Sequence, residues 1–149
     1  MSSMKSLIDN METFLTTDLV SGTVKVIEKG LPQDPQQIPF NSYPYIALGD
    51  GGERTEDSNS GGQESQTRFF SVLLVMAVYA MNKETALDNI LDLSNTVQAS
   101  IETQSNRLVD GLVWGRNIAS FDWEDENGFY MGRTITVEYR ELQLNYSDY

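Results

Sequence analysis

Two residue types that carry much of protein chemistry are missing from this 149-residue chain, which has no cysteine and no histidine. Disulfides, thiolate nucleophiles, the usual zinc ligands and every His-dependent nucleophile arrangement go with them, which argues against an enzyme. Carboxylates remain. The densest cluster is Asp122, Glu124, Asp125 and Glu126, in DWEDENG. It superficially resembles a calcium loop, where oxygen ligands at fixed spacing surround the ion and a glutamate closes the site. Here Asn127 stands where the loop glycine belongs, and Arg133 where the closing glutamate belongs. A small metal-dependent hydrolase built on these acids is the weaker reading, and a solvated hairpin tip the stronger. Gly49-Asp50-Gly51-Gly52 is no phosphate cradle, because no Gly-Lys-Ser/Thr follows and the segment leads into acids. Asn145-Tyr146-Ser147 fits a glycosylation acceptor, but nothing else points to secretion. No catalytic residue, metal site or cofactor is assigned.

Charge narrows the partners. Ten basic residues against twenty-two acidic ones give a formal charge of −12. Phosphate backbones and anionic membranes both repel such a surface. Arg116 and Arg133 stand out among so few cations, each beside aromatics in or near a predicted strand. Two pairings are open to them: acids across a subunit boundary, where arginine forks are enriched, or acids within the chain. Trp114, Trp123, Tyr43, Tyr45 and Tyr130 read as core or rim aromatics in preference to a ligand cage. The first residues, MSSMKSLIDNMETF, lack the apolar run of a signal peptide, so a soluble cytoplasmic protein is expected.

The elements that must position these residues centre on one stretch, residues 67–81, TRFFSVLLVMAVYAM. Phe69, Ser71, Leu73, Val75, Ala77 and Tyr79 would line one side, and Phe70, Val72, Leu74, Met76, Val78 and Ala80 the other. Both sets are largely apolar, which predicts a strand buried on two sides. The run is too short for a membrane helix, which needs roughly 18 to 20 residues. Before it, Met4, Leu7, Ile8, Met11, Phe14 and Leu15 recur at helical spacing over residues 3–16. Alternation predicts a strand over 22–29, and Pro44 puts the strand over 42–48 at an edge or a strand start. The prolines of 31–40 mark an irregular connection between them. After the central strand, Asn82 caps a helix running to about Gln104, with Leu87, Ile90, Leu91, Val97 and Ile101 as its stripe. Residues 106–114 are ambiguous. Strands over 118–124 and 129–141 follow, joined at Asn127-Gly128, a strong hairpin signal.

The length is that of one domain, residues 1–149. The order predicts an α+β fold, with a mixed or mainly antiparallel sheet of about five strands and two helices packed on one face. Two helices cover one side only, so the other apolar side is left for a partner. Residues 50–66 hold no aliphatic or aromatic side chain and are expected as a flexible acidic loop, either simply solvated or ordered against a partner. Candidate interface residues are Phe69, Leu73, Val75, Tyr79, Arg116 and Arg133. Candidate partner contacts in the loop are Asp50, Glu53, Arg54, Glu56 and Asp57.

This layout resembles the tail terminator (tail completion) proteins of long-tailed bacteriophages, a group that includes small head-to-tail joining proteins. The features that carry it are the N-terminal helix, TVKVIEKGLP, YPYIALGDG with its acidic loop, RFFSVLLVMAVYA, ALDNILDLSNTVQASI and GRTITVEYR, over residues 4–140. The resemblance implies a homo-oligomeric ring, usually a hexamer, that caps the tail tube, ends its polymerisation and offers the surface on which the head docks. Implied partners are other copies of the chain, the tail tube protein and a head-completion or connector protein. DNA would pass through without specific binding, no membrane or cofactor would be involved, and the ring would sit in the virion tail after assembly in the host cytoplasm. Another phage neck subunit, such as a head-closure protein or adaptor, or a non-viral oligomeric adaptor would share the acidic charge and the spare face.

Overall fold

Alternating burial along one long strand divides the molecule into two unlike sides. The computed structural model describes residues 3–19, 24–31, 42–60, 63–103 and 112–141. Their elements are α1 (Met4–Leu19), β1 (Val26–Lys29), β2 (Tyr45–Ser60), β3 (Gln63–Ala80), α2 (Lys83–Glu102), β4 (Leu112–Asp125) and β5 (Gly128–Arg140). The strands form one sheet in the order β1-β2-β3-β5-β4. β1 runs parallel to β2, and the other three pairings are antiparallel. This is the α+β fold that the order of elements predicts.

On one side of β3, Phe70, Val72, Leu74, Met76 and Val78 are buried at 2% exposure or less. The register places Tyr139, Val137, Ile135 and Met131 of β5, and Ile46 and Leu48 of β2, beside them. Over this surface α1 lays Leu7, Met11, Phe14, Leu15 and Leu19, and α2 lays Ala86, Ile90, Leu93, Val97 and Ile101. Each large side chain so buried contributes about 1.5–3 kcal/mol relative to exposure, which makes this layer the main source of stability. α1 packs chiefly on β1, β2 and β3, and α2 on β3 and β5. β4 carries little helical cover.

Asn82 caps α2 as expected, its side-chain oxygen accepting the Thr85 N–H at 2.8 Å. The buried stripe, however, is turned slightly from the expected one. Leu87 is 45% exposed, while Ser94 and Ser100 are buried. The small serines allow the helix to approach the sheet, and Ser94 Oγ accepts a bond from Arg133 Nη1 at 3.2 Å. Hydrogen bonding offsets the cost of burying such hydroxyls.

Three further differences concern strand limits. β1 begins at Val26, later than alternation suggests, and residues 20–23 lie outside the described set, as do 32–41 and 142–149. β4 begins at Leu112, earlier than expected, and crosses an irregularity between Val113 and Gly115. Most consequential, the polar stretch expected as a loop carries a ladder: β2 and β3 stay paired out to Ser60 and Gln63, after a register shift between Asp50 and Glu53. Gly52, with φ +104°, takes the left-handed conformation at that shift, and Asp50 Oδ1 accepts its N–H at 2.8 Å. Backbone pairing propagates from a ladder already fixed by the core, and it needs no apolar side chains.

Candidate functional site

The side of the sheet away from the helices gathers four of the predicted interface residues. Side chains alternate along β3, so Phe69, Ser71, Leu73, Val75, Ala77 and Tyr79 all project there. Opposite them in β5 stand Arg140, Glu138, Thr136, Thr134, Gly132 and Tyr130. Phe69 and Ala77 are closed over by neighbours, whereas Leu73, Val75 and Tyr79 are half-buried. The remaining two candidates lie elsewhere. Arg116 and Arg133 pair with Val137 and Ser120 on the helix side. Arg116 forms an ion pair with Glu102, and Arg133 bonds to Ser94.

One end of this face is aromatic. Phe121 stacks on Trp123 at 5.8 Å between ring centres, and Trp123 stacks on Tyr130 at 4.9 Å. Tyr43 and Tyr79 then meet Tyr130 at 5.3 and 5.1 Å. Gly132 makes room for the row: a Cβ there would lie 2.2 Å from the Phe121 ring. Tyr43, Tyr45, Ala47, Ala77 and Tyr130 form a second, smaller core beneath it. Burial pushes the Tyr43 hydroxyl up to about 12. Burial, followed by the bond it donates to Glu28, pushes Tyr45 well above the ordinary tyrosine value. These hydroxyls stay protonated near neutrality.

The opposite end carries arginines over rings. The Arg54 guanidinium lies 3.9 Å from the Phe69 ring centre and meets Glu138 at 3.2 Å and Glu56 at 3.2 Å. Phe69 meets Trp114 edge-on at 6.1 Å, and Arg140 lies over Trp114 at 5.0 Å. Trp114 is 53% exposed. On the helix side of the same strands, Arg68 lies over Phe70 at 4.8 Å and pairs with Glu53 at 3.5 Å. Sequence reasoning singled out Arg54 and Phe69 separately and passed over Arg140. The Gly61-Gly62 dipeptide of the sequence is the turn signal from which the pairing of Arg54 with Phe69 could have been anticipated.

The remaining candidates are dispersed. Asp50, Glu53, Arg54, Glu56 and Asp57 are exposed along β2. Within DWEDENG, Asp122 and Glu124 share the helix-side register of Met131 and Phe129, while Asp125 closes the turn against Gly128. Asp125 Oδ1 accepts the N–H groups of Asn127 and Gly128 at 2.8 and 3.2 Å, the work of a turn residue. Glu126 and Asn127 are the two turn residues. Among the described residues, no helix is long and apolar enough to cross a membrane.

No protein-family model matches the sequence. No curated protein matches it either. Among solved structures, the chain is similar to one from the virion of a native gene transfer agent particle, at 12% identity over 94% of each chain and a TM-score of 0.45.

Proposed function

We propose that this chain is a structural virion subunit that assembles into a ring, a hexamer in the pattern its layout resembles, and caps the end of a tail tube. The ring ends tube polymerisation and presents a docking surface to a head-completion or connector protein. It does so by shape and contact, without catalysis. The observation that carries this reading is the sheet face that no described helix covers, where Leu73, Val75 and Tyr79 stand half-buried on a strand whose other side is already fully packed. A ring needs two different patches on each subunit, and this face plus the outer edges of β1 and β4 supply them. A charge of −12 on every subunit also suits a passage through which DNA slides without sticking.

Native mass spectrometry with negative-stain imaging, over a range of concentrations and with purified tail tubes added, tests the reading. Rings of about six copies, or tubes whose ends are capped and no longer grow, are expected. A chain that stays monomeric and leaves tube growth unchanged overturns it.

A further inference from the structure

The ribbon of residues 55–60 and 63–68 runs beyond the rest of the sheet. Among the described residues β5 ends opposite Phe69, where Arg140 sits, and the Glu141 N–H reaches one residue farther, to the Arg68 carbonyl at 2.9 Å. Among the described residues the two strands from Thr55 to Ser60 therefore pair with each other alone, over a length of about 20 Å at ~3.4 Å per residue. Residues 55–66 contain Glu56, Asp57 and Glu64, with no lysine or arginine and no aliphatic or aromatic side chain. A two-stranded ribbon without an apolar face is marginal on its own.

Its root is nevertheless braced on both faces. Arg54 over Phe69, tied to Glu138, holds one side, and Arg68 over Phe70, tied to Glu53, holds the other. At the same end of the helix-free face lies a patch of opposite character. Arg140 is exposed, stacked on the half-exposed Trp114, and makes no ion pair among the described residues, whereas Arg54, Arg68 and Arg116 all do. An arginine without an ion pair among the described residues, on an accessible tryptophan, has the composition of a binding hot spot. In a chain this acidic, local charge complementarity favours the meeting of two copies.

We propose that the acidic ribbon of one copy docks on the Trp114–Arg140 patch of the next copy. Asp57, whose side chain leaves the ribbon on the face opposite the Arg54–Glu56 pair, meets the Arg140 guanidinium, and the ribbon backbone lies across the Trp114 ring. The contact is heterologous, since each copy keeps a free ribbon on one side and a free patch on the other. The inference rests on the ring reading for its setting, but it concerns one specific contact.

The absence of native cysteine makes the test direct. Ser58→Cys is placed in one preparation and Gly115→Cys in another, since a Cβ at Gly115 meets nothing within 4 Å. The two are mixed with a short bis-maleimide, and native mass spectra are taken in parallel. A covalent heterodimer is expected, at far higher yield than when Ser58→Cys is mixed with Lys5→Cys on α1. Adding Arg140→Glu to the Gly115→Cys copy should cut that yield severalfold. Rings without this cross-link, or a cross-link indifferent to Arg140→Glu, overturn the docking and leave the ring reading standing. The charge-sensitive cross-link without closed rings upholds the docking and removes the ring. Neither cross-link nor oligomer removes both.

Discussion

Arg54 and Phe69 face each other across the β2–β3 ladder, with the guanidinium 3.9 Å above the ring centre and its far side bonded to Glu138 of β5. One polar residue at the base of the ribbon thus links three strands. Phe69 is only 4% exposed, so Phe69→Ala should cost about 3 kcal/mol in urea unfolding. Arg54→Ala should lower the midpoint by much less, because its ion pairs face solvent. The informative measurement is the double mutant. If the stacking is what Arg54 contributes, most of its effect should vanish once Phe69 is gone, and strictly additive losses would refute the coupling.

Neighbouring residues of β3 should separate folding from assembly. Leu74 is fully buried beneath the helices, and Leu74→Ala should cost about 2–5 kcal/mol. Leu73 and Val75 lie half-buried on the other face. Leu73→Asp or Val75→Asp should therefore leave a cooperative thermal transition by circular dichroism and lose higher oligomers in native mass spectra. Variants that fold and assemble like the parent would show that this face is not an interface.

How much of this was legible in the sequence depends on what each residue's neighbours decide. The two faces of β3 and β5 follow from alternation alone, since burial on one side forces period two, and Asn82 announces its helix by capping chemistry. The ribbon was not legible from hydrophobicity, because its pairing is inherited from the core ladder at Tyr45–Asp50. The rotation of α2 away from Leu87 was hidden too. It goes with Ser94 meeting Arg133 across the helix–sheet contact, and no local pattern encodes that partner. Arg116 and Arg133 drew notice as scarce cations, yet only the register reveals that both sit on the helix side, away from Leu73 and Val75.

Asp9 joins α1 to β1 through Lys29 at 2.7 Å, and also pairs with Lys5 at 2.9 Å. The bonds from Lys29 and then Lys5 lower its pKa from 3.8 to about 2. A carboxylate whose pKa is depressed in the folded state binds fewer protons there than in the unfolded chain. Its contribution is complete above the unfolded value and fades as pH falls from about 4 towards 2. Asp9→Asn should accordingly destabilise the protein at pH 6 and make little difference below pH 2. Urea midpoints of the two proteins should converge on acidification, and a constant gap would exclude the linkage.

Shortening the ribbon separates its two roles most cleanly. Replacing residues 57–66 by a two-residue Asn-Gly turn joins the paired Glu56 and Thr67, removes no core side chain and leaves the Arg54–Phe69 and Arg68–Phe70 braces in place. Loop length changes stability only slowly, by about 0.6 kcal/mol per doubling, so unfolding should be nearly unaltered. If the ribbon reaches the Trp114–Arg140 patch of an adjacent copy, association should weaken although the monomer is intact, and Arg140→Glu should have no further effect in the shortened background. That loss of additivity is the expected signature, because one contact cannot be broken twice. A shortened chain that unfolds would instead place the ribbon within the folding unit, and one that still responds to Arg140→Glu would assign Arg140 to a different contact.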